Sequence, residues 1–325
     1  MKAIHLFCLS IFISAVSSAQ VKWQLVDSLF KPLPASVHVY KSTSEIEGKP
    51  SIAYFFVADL KDKNLLFSTD TTFGRRLTPT DFYERNAQPL VVVNTTFFSF
   101  ETNQNLNTVI RNGRIVSHNK PVPGRGKDTL LFHHTLNSVF GISKKRKADI
   151  AWVFTDSFDR KAFASQVSIK NLKSSKHHLN KRQYLSITGD SILQGEQPKL
   201  KRWKMHTAVG GGPVLIQNGE KLITNNEERK FGGNAINDRH PRTALGYTSD
   251  GKLIILVVQG RFPGEAEGAS LIHLADMLKE IGCVEAMNLD GGGSSCLLIN
   301  GKETITPSDK KQRAIPAVLT IHTKK

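Results

Sequence analysis

The sequence predicts a mixed, strand-rich α/β fold: a central mixed sheet with one β-α-β crossover and glycine-rich loops along one edge. Three observations carry that expectation. Short apolar runs recur along the 325 residues, Asn-Gly and Asp-Gly pairs punctuate them, and one clear amphipathic helix lies between two of the runs.

Lys2 is followed by an apolar run from Ile4 to Val16, which ends in Ser17-Ser18-Ala19. The run is too short to span a bilayer, which takes about 20 residues, and its small-residue end fits a secretory cleavage site. Residues 1–19 are therefore expected to be a signal peptide, giving an exported protein that begins at Gln20. No later segment is long and apolar enough to read as transmembrane. Residues 20–84, with Pro32, Pro34 and Pro50 among them, are expected to form a strand-rich extension packed on a main domain over residues 85–325.

The strand-like runs are Ile52 to Val57, Leu65 to Phe67, Leu90 to Val93, Ile150 to Phe154, Val214 to Gln217, Leu253 to Val258, Val284 to Leu289 and Val318 to Ile321. Asn112-Gly113, Asn218-Gly219, Asp250-Gly251 and Asn300-Gly301 are hairpin signals, because both residues of such a pair tolerate positive φ. The predicted helix spans Ser270 to Ile281. Leu271, Leu274, Ala275, Leu278 and Ile281 form one apolar stripe, Ser270 is placed to cap the first turn, and Gly282 to end the last. Flanked closely by two near-continuous apolar strands, this helix predicts a right-handed crossover between parallel strands. The carboxyl ends of both strands would then share one edge, where crevices form in open α/β sheets.

Two loops would meet at that edge. The first is Gln259-Gly260-Arg261 through Glu265, Glu267 and Gly268, and the second is Asn288-Leu289-Asp290-Gly291-Gly292-Gly293-Ser294-Ser295. Three successive glycines are costly to order, so they suggest close approach to the backbone as readily as a flexible hairpin. The helix N-terminus at Ser270 would offer unpaired N–H groups to an anion at the same edge. A second triple glycine, Gly210-Gly211-Gly212, feeds the Val214 run. His240 and Arg242 lie just ahead of the Leu253 run, and arginine suits bidentate recognition of phosphate. Asn94-Thr95-Thr96-Phe97-Phe98 ends a buried strand in polar groups backed by aromatics.

Outside the leader, the cysteines are Cys283 and Cys296. If the glycine turn joined antiparallel strands, register would place them ~20 Å apart at roughly 3.3 Å per residue, so two buried free thiols are expected. The net charge of +16 is concentrated between Lys144 and Lys204, Lys170 included. Such a field favours anionic partners, although a solvated basic surface explains it equally. No zinc-finger spacing, RNP-type aromatic motif or basic heptad helix accompanies the charge, so nucleic acid is not the expected partner. His177-His178 reads as a solvated loop pair.

Taken in order, Asn94–Phe98, Gly210-Gly211-Gly212-Pro213, Arg242-Thr243-Ala244, Gly260-Arg261, Gly268-Ala269-Ser270-Leu271 and Asn288–Ser295 resemble the motifs of the phosphodiester glycosidase family, over roughly residues 85–323. The chain departs from the family pattern in two places. Thr95-Thr96 stand where Gly-Gly is common, and Gln259 where an aspartate often precedes Gly-Arg.

The resemblance implies hydrolysis of the sugar–phosphate bond in a sugar-1-phosphodiester. Asp290 would be the carboxylate at the anomeric carbon, with Glu265 or Glu267 as a second. Asn94, Gly211, Gly212, His240, Arg242, Arg261, Ser270, Gly291, Gly292, Gly293 and Ser294 would bind substrate and phosphate. Two other readings stay open: a non-catalytic binder of phosphorylated glycans, and a metal-assisted phosphodiesterase. No cofactor is predicted. A divalent cation in the crevice stays open, although no His/Asp/Glu set has a recognised ligand spacing.

Overall fold

The computed structural model describes residues 21–168, 172–191 and 199–324. The expected signal peptide and Lys170 lie outside the described residues. Two sheets position the site. An eight-stranded sheet runs Gln24–Leu25, Val37–Ser42, Ala53–Asp59, Lys252–Val258, Arg242–Thr248, Cys283–Asn288, Val214–Gln217, Glu220–Lys221. A five-stranded sheet runs Lys302–Glu303, Leu297–Ile299, Val91–Asn94, Ala317–Thr323, Leu65–Thr71. A seven-stranded sheet, with Asn137–Ile142 and Ala148–Asp156 near its middle, packs beside both, and a small three-stranded sheet completes the molecule.

Every run predicted as a strand is one, and all four turn pairs close hairpins. Asn112, Asn218 and Asn300 have φ of 51°, 52° and 48°, and the glycines after them 76°, 79° and 76°. That double positive φ gives the twist that matches the flanking strands. The N-terminal strands pair directly into both main sheets: Ala53–Asp59 along Lys252–Val258, and Leu65–Thr71 along Ala317–Thr323.

The helix is Leu271–Ile281. Ser270 Oγ accepts the His273 N–H at 3.1 Å, the His273 ring nitrogen accepts the Ser270 N–H at 3.3 Å, and Gly282 ends the helix at φ 96°. Leu271, Leu274, Ala275, Met277 and Leu278 are buried against Leu256, Val258, Leu215, Ile216 and Ala286. Each buried leucine contributes roughly 2 kcal/mol.

The expected strand-rich α/β class holds, but the ladder differs in detail. All pairings among the described residues are antiparallel. The two strands flanking the helix do run in the same direction, yet Arg242–Thr248 lies between them, antiparallel to both. The Asp250-Gly251 hairpin delivers that third strand into the gap. The shared edge survives this insertion, because strand direction alone sets it.

The near-continuous apolar runs are explained by burial on both faces. Leu253, Ile255 and Val257 point into the core shared with the other two large sheets, while Ile254, Leu256 and Val258 pack under the helix. Cys283 and Cys296 are buried free thiols, as expected. The reason differs, since the glycine turn is not a hairpin: it carries the chain from the eight-stranded to the five-stranded sheet.

Candidate active site

At the shared edge, Arg242 stands opposite Val258, Ala244 opposite Asn288, and Val214 opposite Met287. The Asn288–Ser295 segment leaves this edge through a single 3-10 turn, Gly292–Ser294. Asn94, at the end of its strand in the other sheet, ties the two edges together. Its side-chain amide donates to the Asp290 carbonyl at 2.6 Å, while its side-chain oxygen accepts the Thr243 hydroxyl at 2.8 Å and the Cys296 N–H at 3.0 Å. The Asp290 N–H donates to the Thr95 carbonyl at 2.9 Å.

The two triple-glycine segments pack on each other. Gly212 N–H donates to the Asn288 carbonyl at 2.7 Å, and the Asn288 amide returns a bond to the Gly212 carbonyl at 2.9 Å. A Cβ on Gly211 would sit 2.6 Å from the Asn288 carbonyl oxygen, so only glycine allows this approach. The third glycine of the other segment, Gly293, lies directly beneath the Arg313 guanidinium and Asp309 carboxylate, which pair with each other.

Burial pushes the Asp290 carboxyl up to about 6, against the pull of Ser294, the Gly291 N–H at 3.0 Å and the charge of Arg313. Cations line the rim. Arg242 is buried and anchored: Nε donates to the Ala269 carbonyl at 2.9 Å, a terminal nitrogen to the Asp238 carbonyl at 2.8 Å, and its guanidinium lies 5.7 Å from the Phe231 ring centre. Burial lowers its pKa to about 10, which leaves it charged at neutral pH. Arg261 is exposed, and its guanidinium rests against Gly292, whose own N–H donates to the Pro241 carbonyl. His240 is held below its ordinary value, first by burial and then by Arg242 and Arg261, so it is neutral at pH 7.

Three of the expected site residues have partners of their own. Glu265 accepts a 3.3 Å bond from the Gln259 amide, and Glu267 pairs with Lys49 at 3.7 Å. The Ser270 hydroxyl is occupied by its own helix cap, and the Leu271 N–H donates to the Ile236 carbonyl at 2.9 Å. Among the described residues, no three His, Cys, Asp or Glu side chains come together as a metal-ion ligand set. Five buried polar atoms without a hydrogen-bond partner belong to this edge: Thr95 Oγ1, Asn288 Oδ1, Ser294 Oγ, Ser295 Oγ and His240 Nδ1. Such atoms are rare, and each costs about 1–3 kcal/mol when left unmatched.

A family model described as Phosphodiester glycosidase matches residues 87–322, which takes in every one of these groups. The chain belongs to the phosphodiester glycosidase family. The Bos taurus N-acetylglucosamine-1-phosphodiester alpha-N-acetylglucosaminidase is 33% identical over 151 residues, covering 42% of this chain and 27% of the relative. The chain spans less than a third of the length of the curated relatives it matches. Two solved structures share the fold. The zebrafish N-acetylglucosamine-1-phosphodiester alpha-N-acetylglucosaminidase catalytic domain, auto-inhibited by pro-peptide, has a TM-score of 0.56 at 21% identity, covering 94% of this chain and 88% of that one. A hypothetical protein from Synechocystis has a TM-score of 0.57 at 13% identity, covering 94% and 68%.

Both departures of this chain from the family pattern have a structural setting. The Gln259 amide reaches Glu265, and its oxygen accepts the Thr306 N–H at 2.9 Å, so the longer side chain links two loops. Thr96 bonds the Asn105 side chain at 2.5 Å, and Thr95 adds a buried hydroxyl beside the Asp290 segment.

Sequence reasoning missed Arg313, Phe231, Glu228 and Lys230. None sits in a motif: Arg313, Phe231 and Lys230 reach the site from loops and Glu228 from the end of a four-residue helix, Asn225–Glu228, on paths that only the folded chain fixes. The one local signal was the Phe231–Gly233 break before Arg239, which reads as an ordinary turn.

Proposed function

We propose that this protein is a hydrolase that cleaves the sugar–phosphate glycosidic bond of a sugar-1-phosphodiester, releasing the free sugar and a phosphomonoester. The observation that carries the reading is Asp290: one desolvated carboxylate, bonded by the Gly291 N–H and carried on a backbone tied to Thr95, on an edge rimmed by Arg242 and Arg261. Water supplies the new C–O bond at the anomeric carbon, and the old C–O bond breaks with its electron pair leaving on the phosphate. That leaving group needs no proton, so a single carboxylate suffices, as base for water or as nucleophile. The phosphate gains a charge as it leaves, and preorganised donors and cations are commonly the largest catalytic contribution at such a point. An N-acetylglucosamine-1-phosphodiester, the substrate class in the bovine relative's name, is the first to try. The expected leader makes an envelope or host glycan the natural source.

The test is product identity on a panel of sugar-1-phosphodiesters, with and without chelator. Free sugar plus phosphomonoester, lost in Asp290→Asn, is expected. Sugar-1-phosphate plus alcohol would mean a phosphodiesterase, and tight binding without any product would mean a glycan binder.

A further inference from the structure

Lys230 enters this edge from a segment held rigid on all sides. The short helix Asn225–Glu228 ends at Arg229 in left-handed geometry, and the Lys230 N–H returns to the Asn225 carbonyl at 3.2 Å. The Asn225 side chain then clamps Phe231 through both its backbone groups, at 2.8 and 2.9 Å. Just ahead, the Glu228 carboxylate is buried and fully engaged. It accepts from Ser138 N–H and Oγ, Trp152 Nε1, Val214 N–H and Thr224 Oγ1, all between 2.7 and 3.1 Å.

Lys230 therefore finds its acceptors taken. Among the described residues its ammonium makes no hydrogen bond or ion pair. It lies 5.2 Å from the Phe97 ring centre, and its Cε is so close to Gly212 that a Cβ there would fall 2.6 Å away. Both neighbours belong to the site: Gly212 is hydrogen-bonded to Asn288, and Phe97 follows Thr95 and Thr96 beside Asp290. Phe97 meets Phe231 edge to face at 6.0 Å, and Arg242 lies over Phe231. Lys230 and Arg242 thus each lie over one ring of the same aromatic pair, and the carboxylate beside Lys230, Glu228, is already engaged. Desolvation lowers the Lys230 pKa to about 8 even with Glu228 pulling the other way. A crowded ammonium without an acceptor is stabilised by an anionic oxygen brought to it.

We propose that Lys230 binds a non-bridging oxygen of the substrate phosphate and stabilises the charge it gains on departure. The proposal rests on the glycosidase reading for the identity of the anion, but phosphate binding itself is measured without turnover.

The experiment is calorimetric titration of the full folded protein with inorganic phosphate between pH 7 and 9, alongside kcat and KM, for wild type, Lys230→Met and Lys230→Arg. Inorganic phosphate completes its second ionisation near neutrality, so its charge only rises across this window and cannot itself cause a fall in affinity. Of the groups facing Lys230 or the site, Asp290 and His240 titrate below the window and Arg242 near 10. Charged-group hydrogen bonds predict about 10- to 100-fold weaker phosphate binding in Lys230→Met at pH 7. Wild-type affinity should fall by about tenfold per pH unit above 8, the fraction of ammonium lost, and Lys230→Arg should abolish that fall. Should the methionine variant not fold, the arginine variant alone decides. Unchanged phosphate affinity in Lys230→Met, or a pH profile identical in Lys230→Arg, would overturn the proposal. Phosphate binding through Lys230 without sugar release from any phosphodiester would leave the Lys230 assignment standing and sink the glycosidase reading instead.

Discussion

The Asn94 side chain holds the Asp290 carbonyl at 2.6 Å, joining the strand end of one sheet to the carboxylate-bearing loop of another. Its oxygen accepts from Thr243 and from Cys296 at the same time, so one amide fixes three chain segments. Asn94→Ala removes three buried bonds. It is expected to cost about 2–4 kcal/mol of stability and most of the activity, read by chemical denaturation and by sugar release. Wild-type stability in this variant would show that the two sheets do not depend on that amide.

Asp290 predicts a pH signature in both activity and stability. Its carboxyl is raised to about 6, so the proposed base or nucleophile is ionised only above that value, and kcat/KM should rise with pH through about 6. For stability the sign is opposite. Between about pH 4 and 6 the folded chain holds a proton that the unfolded chain has released, so stability falls as pH rises through that window. Asp290→Asn removes this cost of about 3 kcal/mol at most. The variant should be inactive yet melt a few degrees higher than wild type at pH 8, with the difference vanishing near pH 4. A variant that melts lower at pH 8 would mean that the carboxylate's bond to the Gly291 N–H outweighs its desolvation.

Two glycine substitutions separate close approach from mere flexibility. Gly211→Ala forces a methyl onto the Asn288 carbonyl, a backbone atom that cannot yield, and should cost about 3 kcal/mol or more. Gly232→Ala meets nothing within 4 Å and has no positive φ, so thermal melting should move little or slightly upward. Equal effects at the two positions would remove the packing argument.

Ser270 and Arg261 were expected to serve the same ligand, and the structure gives them different work. Ser270→Ala loses a helix cap and should cost about 1 kcal/mol, with KM unchanged. Arg261→Gln breaks no hydrogen bond among the described residues and should leave the melting temperature alone. Its kcat/KM should nevertheless drop by about 10- to 100-fold, the worth of one charge-assisted bond. A KM effect in Ser270→Ala would return the helix N-terminus to the binding site.

By itself the sequence determined eight of the strands, four hairpins and the capped helix. The strands, the four hairpins and the capped helix follow from local rules: alternating or continuous apolar runs, paired positive-φ residues, and a serine and a glycine at the helix ends. The glycine segments around Gly211 and Gly292 were legible as places of close approach, because no local rule accounts for three glycines. What approaches them was not legible. Tertiary structure decided that Arg242–Thr248 lies between the two strands flanking the helix, that the Asn288–Ser295 turn bridges two sheets, and that Glu265 and Glu267 turn toward Gln259 and Lys49. It also brought Lys230 to Phe97 and Arg313 to Gly293, across separations of 133 and 20 residues. Periodicity reports which face of an element is buried. It carries no information on which distant side chain will fill the space opposite, because that depends on how whole sheets stack.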